Sequence, residues 1–283
     1  METVKILIAC HKPDSSIRKD DIYMPIQVGK ALNPELNLGF QCDNTGDNIS
    51  DKNNSYCELT ALYWAWKNLR NVDYIGLAHY RRYFKMEMTP QNIINILRRN
   101  DIICIKDQVY PISVYRQLVY LLTMEDVDIM IDTLLELHPE MKQVIIDYFY
   151  RNNKFSQLNM MIANWEIFDH YCSFIFPILN RIENRLLPHK YVRLVRILGY
   201  MSEALLGLWI RYNNLKVIYV DRDEGKQYTP LITPLKELVL NIRKNVFFYS
   251  TRRPHTPIFY SAVEVGLRQN GIILSHLKGI SQK

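Results

Sequence analysis

The chain lacks most features that mark the common enzyme and binding classes. Its five cysteines, Cys10, Cys42, Cys57, Cys104 and Cys172, are odd in number and scattered, with no CxxC pair. Such spacing indicates neither a disulfide framework nor a cysteine zinc site, so reduced thiols are expected. No apolar run reaches the roughly 18 residues a membrane-crossing helix needs. The opening Met1-Glu-Thr-Val-Lys-Ile-Leu-Ile8 has neither the basic stretch nor the small-residue cleavage site of a secretory signal. A cytoplasmic protein is the expectation. GxGxxG, the Walker phosphate loop, the GxSxG elbow and HExxH are all missing, which lowers the standing of the common nucleotide and hydrolase folds. No helix-turn-helix, zinc-finger or RNA-recognition signature is present, so nucleic acid is not an expected partner.

What the chain does have is bulk and alternation. Its 283 residues are 48% hydrophobic and 12% aromatic, enough for a large core in one elaborate domain, with or without an appendage. Lys5-Ile-Leu-Ile-Ala-Cys10 reads as a buried first strand, and Asp43 to Asn54 as a polar loop. Ser55-Tyr-Cys-Glu58 fits a capping box ahead of Leu59, Leu62, Tyr63, Trp66 and Leu69 at helical spacing, which gives Glu58 a structural task. Tyr74 to Ala78, Asp101 to Ile105, Leu158 to Ala163 and Leu215 to Val220 read as strands. Thr89-Pro90 and Thr123-Met-Glu-Asp126 open helices, and further helices are predicted over Trp165 to Leu187 and Tyr200 to Tyr212. Alternating strands and helices imply an α/β sheet.

Charge divides the chain in two. Of the net charge of +6, all is accounted for by residues 231–283, where eight Lys/Arg stand against Glu237 and Glu264. Interleaved with Leu238, Val239, Leu240 and Phe247, this segment reads as a basic amphipathic extension suited to an anionic membrane surface. A solvated helical cap is the alternative. The remaining 1–230 form the expected main domain.

The segment Asp73-Tyr-Ile-Gly-Leu-Ala-His-Tyr-Arg-Arg-Tyr-Phe84 carries the chemistry. A short apolar strand runs into His79, Arg81 and Arg82, and ligands in α/β sheets collect beyond the carboxyl ends of strands. Arginine presents a rigid donor fork that matches carboxylate or phosphate. The cluster suits a nucleotide diphosphate; structural ion pairing of the arginines is the competing reading.

Ile6-Leu-Ile-Ala-Cys-His-Lys-Pro13, Gly46-Asp-Asn-Ile-Ser50, Tyr56-Cys-Glu-Leu-Thr-Ala-Leu-Tyr-Trp-Ala-Trp-Lys-Asn68, His79-Tyr-Arg-Arg-Tyr-Phe84, Asn159-Met-Met-Ile162, Phe168-Asp-His-Tyr-Cys172 and Tyr200-Met-Ser-Glu-Ala-Leu-Leu206 occur in order. Together they resemble the bacterial capsular and exopolysaccharide glycosyltransferase family long filed as a domain of unknown function. The resemblance spans roughly residues 3 to 220. It implies a GT-A-like fold and a UDP-sugar donor, with galactofuranose the sugar some relatives use. It also implies a lipid-linked oligosaccharide acceptor in capsule, exopolysaccharide or O-antigen synthesis, on the inner membrane face. One departure stands out: the family usually has Ser-Glu-Arg-Leu where this chain has Ser202-Glu-Ala-Leu205.

On that resemblance, the place where GT-A enzymes usually hold a metal through Asp-X-Asp is occupied by His79-Tyr80-Arg81-Arg82. Arg81 and Arg82, with His79 as donor or metal ligand, are then expected to neutralise the leaving diphosphate. Asp221-Arg-Asp223 is the alternative position for manganese or magnesium. Inverting transfer requires a carboxylate base, for which Glu203, in an apolar helix, is the first candidate and Asp47 the second. His11, Lys12, Asp43 and Asn48 are expected to face the donor, and Asn159 a sugar. The competing reading is a noncatalytic carbohydrate- or nucleotide-binding subunit, signalled by Ala204.

Overall fold

The computed structural model describes residues 2–186, 195–223 and 234–251. Among the described residues eleven short strands follow in chain order: β1 (Val4–Cys10), β2 (Tyr23–Gln27), β3 (Gln41–Cys42), β4 (Tyr74–His79), β5 (Tyr83–Phe84), β6 (Ile102–Ile105), β7 (Gln108–Val109), β8 (Lys154–Phe155), β9 (Met161–Asn164), β10 (Val217–Val220) and β11 (Arg222–Asp223). Seven of them form one sheet in the order β10-β6-β9-β4-β1-β2-β3. All neighbours are parallel except β9, which runs against both β4 and β6. β5 pairs with β11 and β7 with β8 outside it.

The apolar runs of the central strands are continuous because both faces of the sheet are covered. Alternate residues diverge. Leu7, Ile75, Leu77, Ile102, Cys104 and Met161 join one core, while Ile6, Ile8, Ala78, Ile103 and Ile162 join the other. The helices are α1 (Asn53–Tyr56), α2 (Leu59–Asn68), α3 (Pro90–Leu97), α4 (Val114–Leu121), α5 (Met124–Leu137), α6 (Lys142–Phe149), α7 (Trp165–Glu183), α8 (Ile197–Tyr212) and α9 (Pro234–Thr251). α2, α5, α7 and α8 build the larger core, and α3 covers the opposite face through Ile93, Ile94 and Leu97.

Two helix starts form as their sequences dictate. Thr89 accepts the Asn92 amide with Pro90 in the first turn, and Thr123 accepts the Asp126 amide. The Ser55–Glu58 capping box does not form. Ser55 lies inside α1, Cys57 adopts φ +53°, and α2 then starts behind Glu58 without a side-chain cap. The break releases Glu58 from the structural task its spacing suggested. Part of the expected 43–54 loop is also helical, since Ser50–Lys52 forms a 3-10 turn leading into α1. The strand expected over Leu158 to Ala163 lies at Met161–Asn164, which leaves Asn159 on the approach to it. The helix expected through Leu187 ends at Glu183.

All five cysteines are free. Among the described residues no helix is long and apolar enough to cross a membrane. Of the basic extension, α9 is described; residues 231–233 and 252–283 lie outside the described residues.

Gly199 sets how closely α8 approaches the α1–α2 break. A Cβ there would lie 2.9 Å from Cys57 Sγ and 3.2 Å from Cys57 Cβ. Gly199→Val is therefore expected to destabilise the fold by about 1–3 kcal/mol through overpacking, read as a lower urea midpoint. An unchanged midpoint would show that the two elements part without cost.

Candidate active site

β1 and β4 are parallel neighbours that end together, with Ala9 level with His79. β9 runs the other way, Leu77 facing Met161, so Asn159 reaches the same edge from the opposite direction. Glu58 precedes α2, and Ser202 and Glu203 lie on α8. These elements converge where an α/β sheet opens its ligand crevice.

A tight turn builds the basic side. The His79 amide donates to the Arg82 carbonyl at 3.2 Å and the Arg82 amide to the His79 carbonyl at 3.0 Å, which places Tyr80 and Arg81 at the tip. Tyr80 is fully buried. Its ring meets His11 edge-on at 5.6 Å, stacks with His79 at 5.1 Å and carries the Arg81 guanidinium at 4.9 Å. Its carbonyl accepts from Ser16 Oγ at 2.9 Å and Tyr83 Oη at 3.2 Å. Tyr80 is thus the hub that orients His11, His79 and Arg81. Among the described residues, neither Arg81 nor Arg82 has an ion-pair partner. Arg196 joins them from the foot of α8, donating from Nε to Cys57 Sγ at 3.3 Å.

This crowding shows in the imidazoles. Burial, then Arg82, Arg81, His11 and Arg196, lowers the His79 pKa from 6.5 to about 4. Burial, then Lys12, Arg196 and Arg81, lowers that of His11. His79 is therefore neutral at pH 7, with Nδ1 buried and unpartnered. Neutral rings and three guanidinium groups leave a surplus of positive charge that an anion would satisfy.

The acidic side rests on an amide. Asn159 Nδ2 donates to Glu58 Oε1 and to Ser202 Oγ, both at 2.8 Å, and Ser202 Oγ donates to the Gly199 carbonyl at 2.7 Å. Glu203 follows Ser202 and makes no hydrogen bond within the described residues. It keeps partial solvent access although protein surrounds most of it. Burial first, and the Glu58 charge second, lift its pKa well above the ordinary carboxylate value; Arg196 and Arg82 act against them. Such a carboxyl can hold or take a proton near neutrality.

The structure thus brings His11, His79, Arg81, Arg82, Asn159 and Glu203 together, with Lys12 adjoining on the exposed loop after β1. It adds Glu58, which spacing had assigned to a cap, and Arg196. Asp43 is fully buried and accepts from the Gly29 amide at 2.9 Å, the Lys30 amide at 3.2 Å and Ser50 Oγ. Asn48 closes a turn through Gly46 and Ser50. Asp47 accepts from Tyr63 Oη at 3.2 Å and its backbone is held by Asn68. Asn68 ends α2 and lies about 15 Å along the helix axis from Glu58, so the structure does not bring Asp47 to the cluster. Asp221 lies between β10 and β11 and Asp223 ends β11, where it pairs with Arg18 at 3.4 Å. Among the described residues no three His, Cys, Asp or Glu side chains are grouped to hold a metal ion. Ala204 is fully buried in the larger core, so the charge facing Glu203 comes from Arg82 and Arg196.

The family described as "Domain of unknown function (DUF4422)" matches residues 5–214. The chain is similar to the apo structure of the WbbM bifunctional glycosyltransferase, with a TM-score of 0.70 and 27% identity across 82% of this chain. It spans 48% of that protein's chain. The fold is GT-A-like, as the resemblance implied. No curated protein matches.

Two titrations test the electrostatics. Unfolded, His79 titrates near 6.5 and folded near 4, so between these values the unfolded chain binds more protons and stability falls as pH drops. His79→Asn should flatten that part of the unfolding free energy against pH; an unaltered slope would mean the ring is not held neutral. Glu58→Gln should lower the Glu203 titration midpoint, followed by carboxyl carbon NMR, because a raising charge is removed. A midpoint that stays or rises would break the proposed coupling.

Proposed function

The chain belongs to the DUF4422 family, and from that footing we propose that it is a glycosyltransferase moving a sugar from a UDP-sugar to a glycan acceptor with inversion. The observation that carries the reading is a set of guanidinium groups facing a carboxyl of raised pKa across one sheet edge. In this scheme the acceptor hydroxyl gives its proton to Glu203 while its oxygen bonds to the anomeric carbon. The bond from that carbon to the diphosphate oxygen breaks on the far side, and the electron pair leaves with the diphosphate. Arg81, Arg82 and Arg196 face the growing charge. Glu58 holds Asn159 and keeps the Glu203 pKa high, which makes it a positioning residue.

Manganese or magnesium, the usual partners of a GT-A diphosphate, find a poor fit in Asp221 and Asp223, since one of the two carboxylates is already paired with Arg18. The leaving-group charge is assigned to the arginines instead. UDP-galactofuranose is the first donor to test, and a lipid-linked oligosaccharide of surface-polysaccharide assembly the first acceptor. The noncatalytic reading loses the feature that motivated it, because Ala204 is a core residue and the arginines facing Glu203 are intact.

Calorimetry with UDP, with manganese and with chelator, separates these roles. Arg81→Ala/Arg82→Ala should weaken UDP binding at least tenfold, about 1.4 kcal/mol, whether or not chelator is present. Glu203→Gln should keep UDP affinity within about threefold while transfer falls roughly 10²–10⁴-fold. Full turnover in Glu203→Gln, or UDP affinity indifferent to the arginines, would sink the assignment.

A further inference from the structure

α9 is oriented against the usual rule for a helix lying on its own protein. Its 18 residues form a rod about 27 Å long. Leu235, Leu238, Val239, Ile242, Val246 and Tyr249 recur at steps of three and four and share a stripe about 100° wide, the arrangement that ordinarily faces a core. Here those six residues are 49% to 70% exposed. The partly covered residues are Asn241, Lys244, Asn245 and Phe248, on a different arc of the helix. One tie to the main domain is a hydrogen bond, Asn153 Nδ2 donating to Asn245 Oδ1 at 2.9 Å.

We propose that this stripe is a docking surface for an anionic lipid bilayer. Charge selects the occupant. Arg243 is exposed and lies beyond one margin of the stripe. The segment 231–283 carries eight Lys/Arg against Glu237 and Glu264. A second copy of the chain would bring like charge to the stripe, whereas an anionic headgroup layer brings the opposite sign. The helix would lie in the plane of the interface, its apolar stripe among the acyl chains and its basic side chains extended toward the headgroups.

The same Asn153 amide also donates to the Tyr110 carbonyl at 2.8 Å, so one side chain ties α9 to the segment that follows β7. This inference goes beyond the transferase reading and concerns binding alone.

The test is flotation of the full chain with vesicles of phosphatidylcholine, alone or mixed with phosphatidylglycerol. The native chain should float with the anionic vesicles and scarcely with the neutral ones. Leu238→Glu/Ile242→Glu/Val246→Glu and Arg243→Glu/Lys244→Glu should each reduce recovery at least roughly tenfold. Circular dichroism and UDP binding should be unchanged in both, so that loss of flotation is separable from misfolding and from failure of the transferase reading. In Tyr249→Trp the emission should shift to the blue on adding anionic vesicles. Native chain that stays with the neutral-vesicle background, or a stripe variant that floats as well as the native chain, would overturn the proposal. So would sedimentation showing a dimer that the stripe variant dissociates while neither form binds vesicles.

Discussion

The amide of Asn159 is the interaction on which the site depends. Its two hydrogens go to different elements, one to Glu58 ahead of α2 and one to Ser202 on α8, each at 2.8 Å. A carboxylate so close to Glu203 would be costly without such a donor and without guanidinium groups nearby. The amide fixes Glu58 as an acceptor and leaves Glu203 as the carboxyl with a free face. Gly199 makes the arrangement sterically possible, because any side chain there would push α8 off Cys57.

Backbone topology brings that amide into place. β9 is antiparallel in an otherwise parallel sheet, so its beginning, rather than its end, lies beside the end of β4. A parallel β9 would have carried Asn159 to the opposite edge. The same inversion sets Asn159 level with the turn that presents Arg81 and Arg82. Tyr80 then fixes the turn from below, through three ring contacts and two hydrogen bonds to its carbonyl.

Much of this was legible in the chain, wherever the cause is local. β1 and β4 are apolar runs, Thr89-Pro90 and Thr123 cap the helices they precede, and the Arg81-Arg82 pair follows a central strand. The raised pKa of Glu203 follows from a single carboxyl in an apolar helix. What could not be read depends on contacts between distant segments. The left-handed turn at Cys57 has no glycine to announce it, so Ser55 to Glu58 imitated a cap and hid Glu58. Asp43 looked like a solvent-facing loop acid, yet two backbone amides and a hydroxyl enclose it. The apolar positions of α9 and their suitability for a membrane surface were evident in the sequence, but which arc of the helix meets the protein was not, because periodicity defines a face without saying what it meets.

The position of Arg82 and Arg196 has one more consequence. Both act on the Glu203 proton, and both lower its pKa. Any anion that docks on these arginines cancels part of that pressure, so Glu203 becomes more basic when the anion is bound. The reciprocal holds by thermodynamic necessity: a proton on Glu203 strengthens the hold on the anion by the same factor. Loading and protonation are thereby linked, and departure of the anion returns Glu203 toward the acid strength of the empty site.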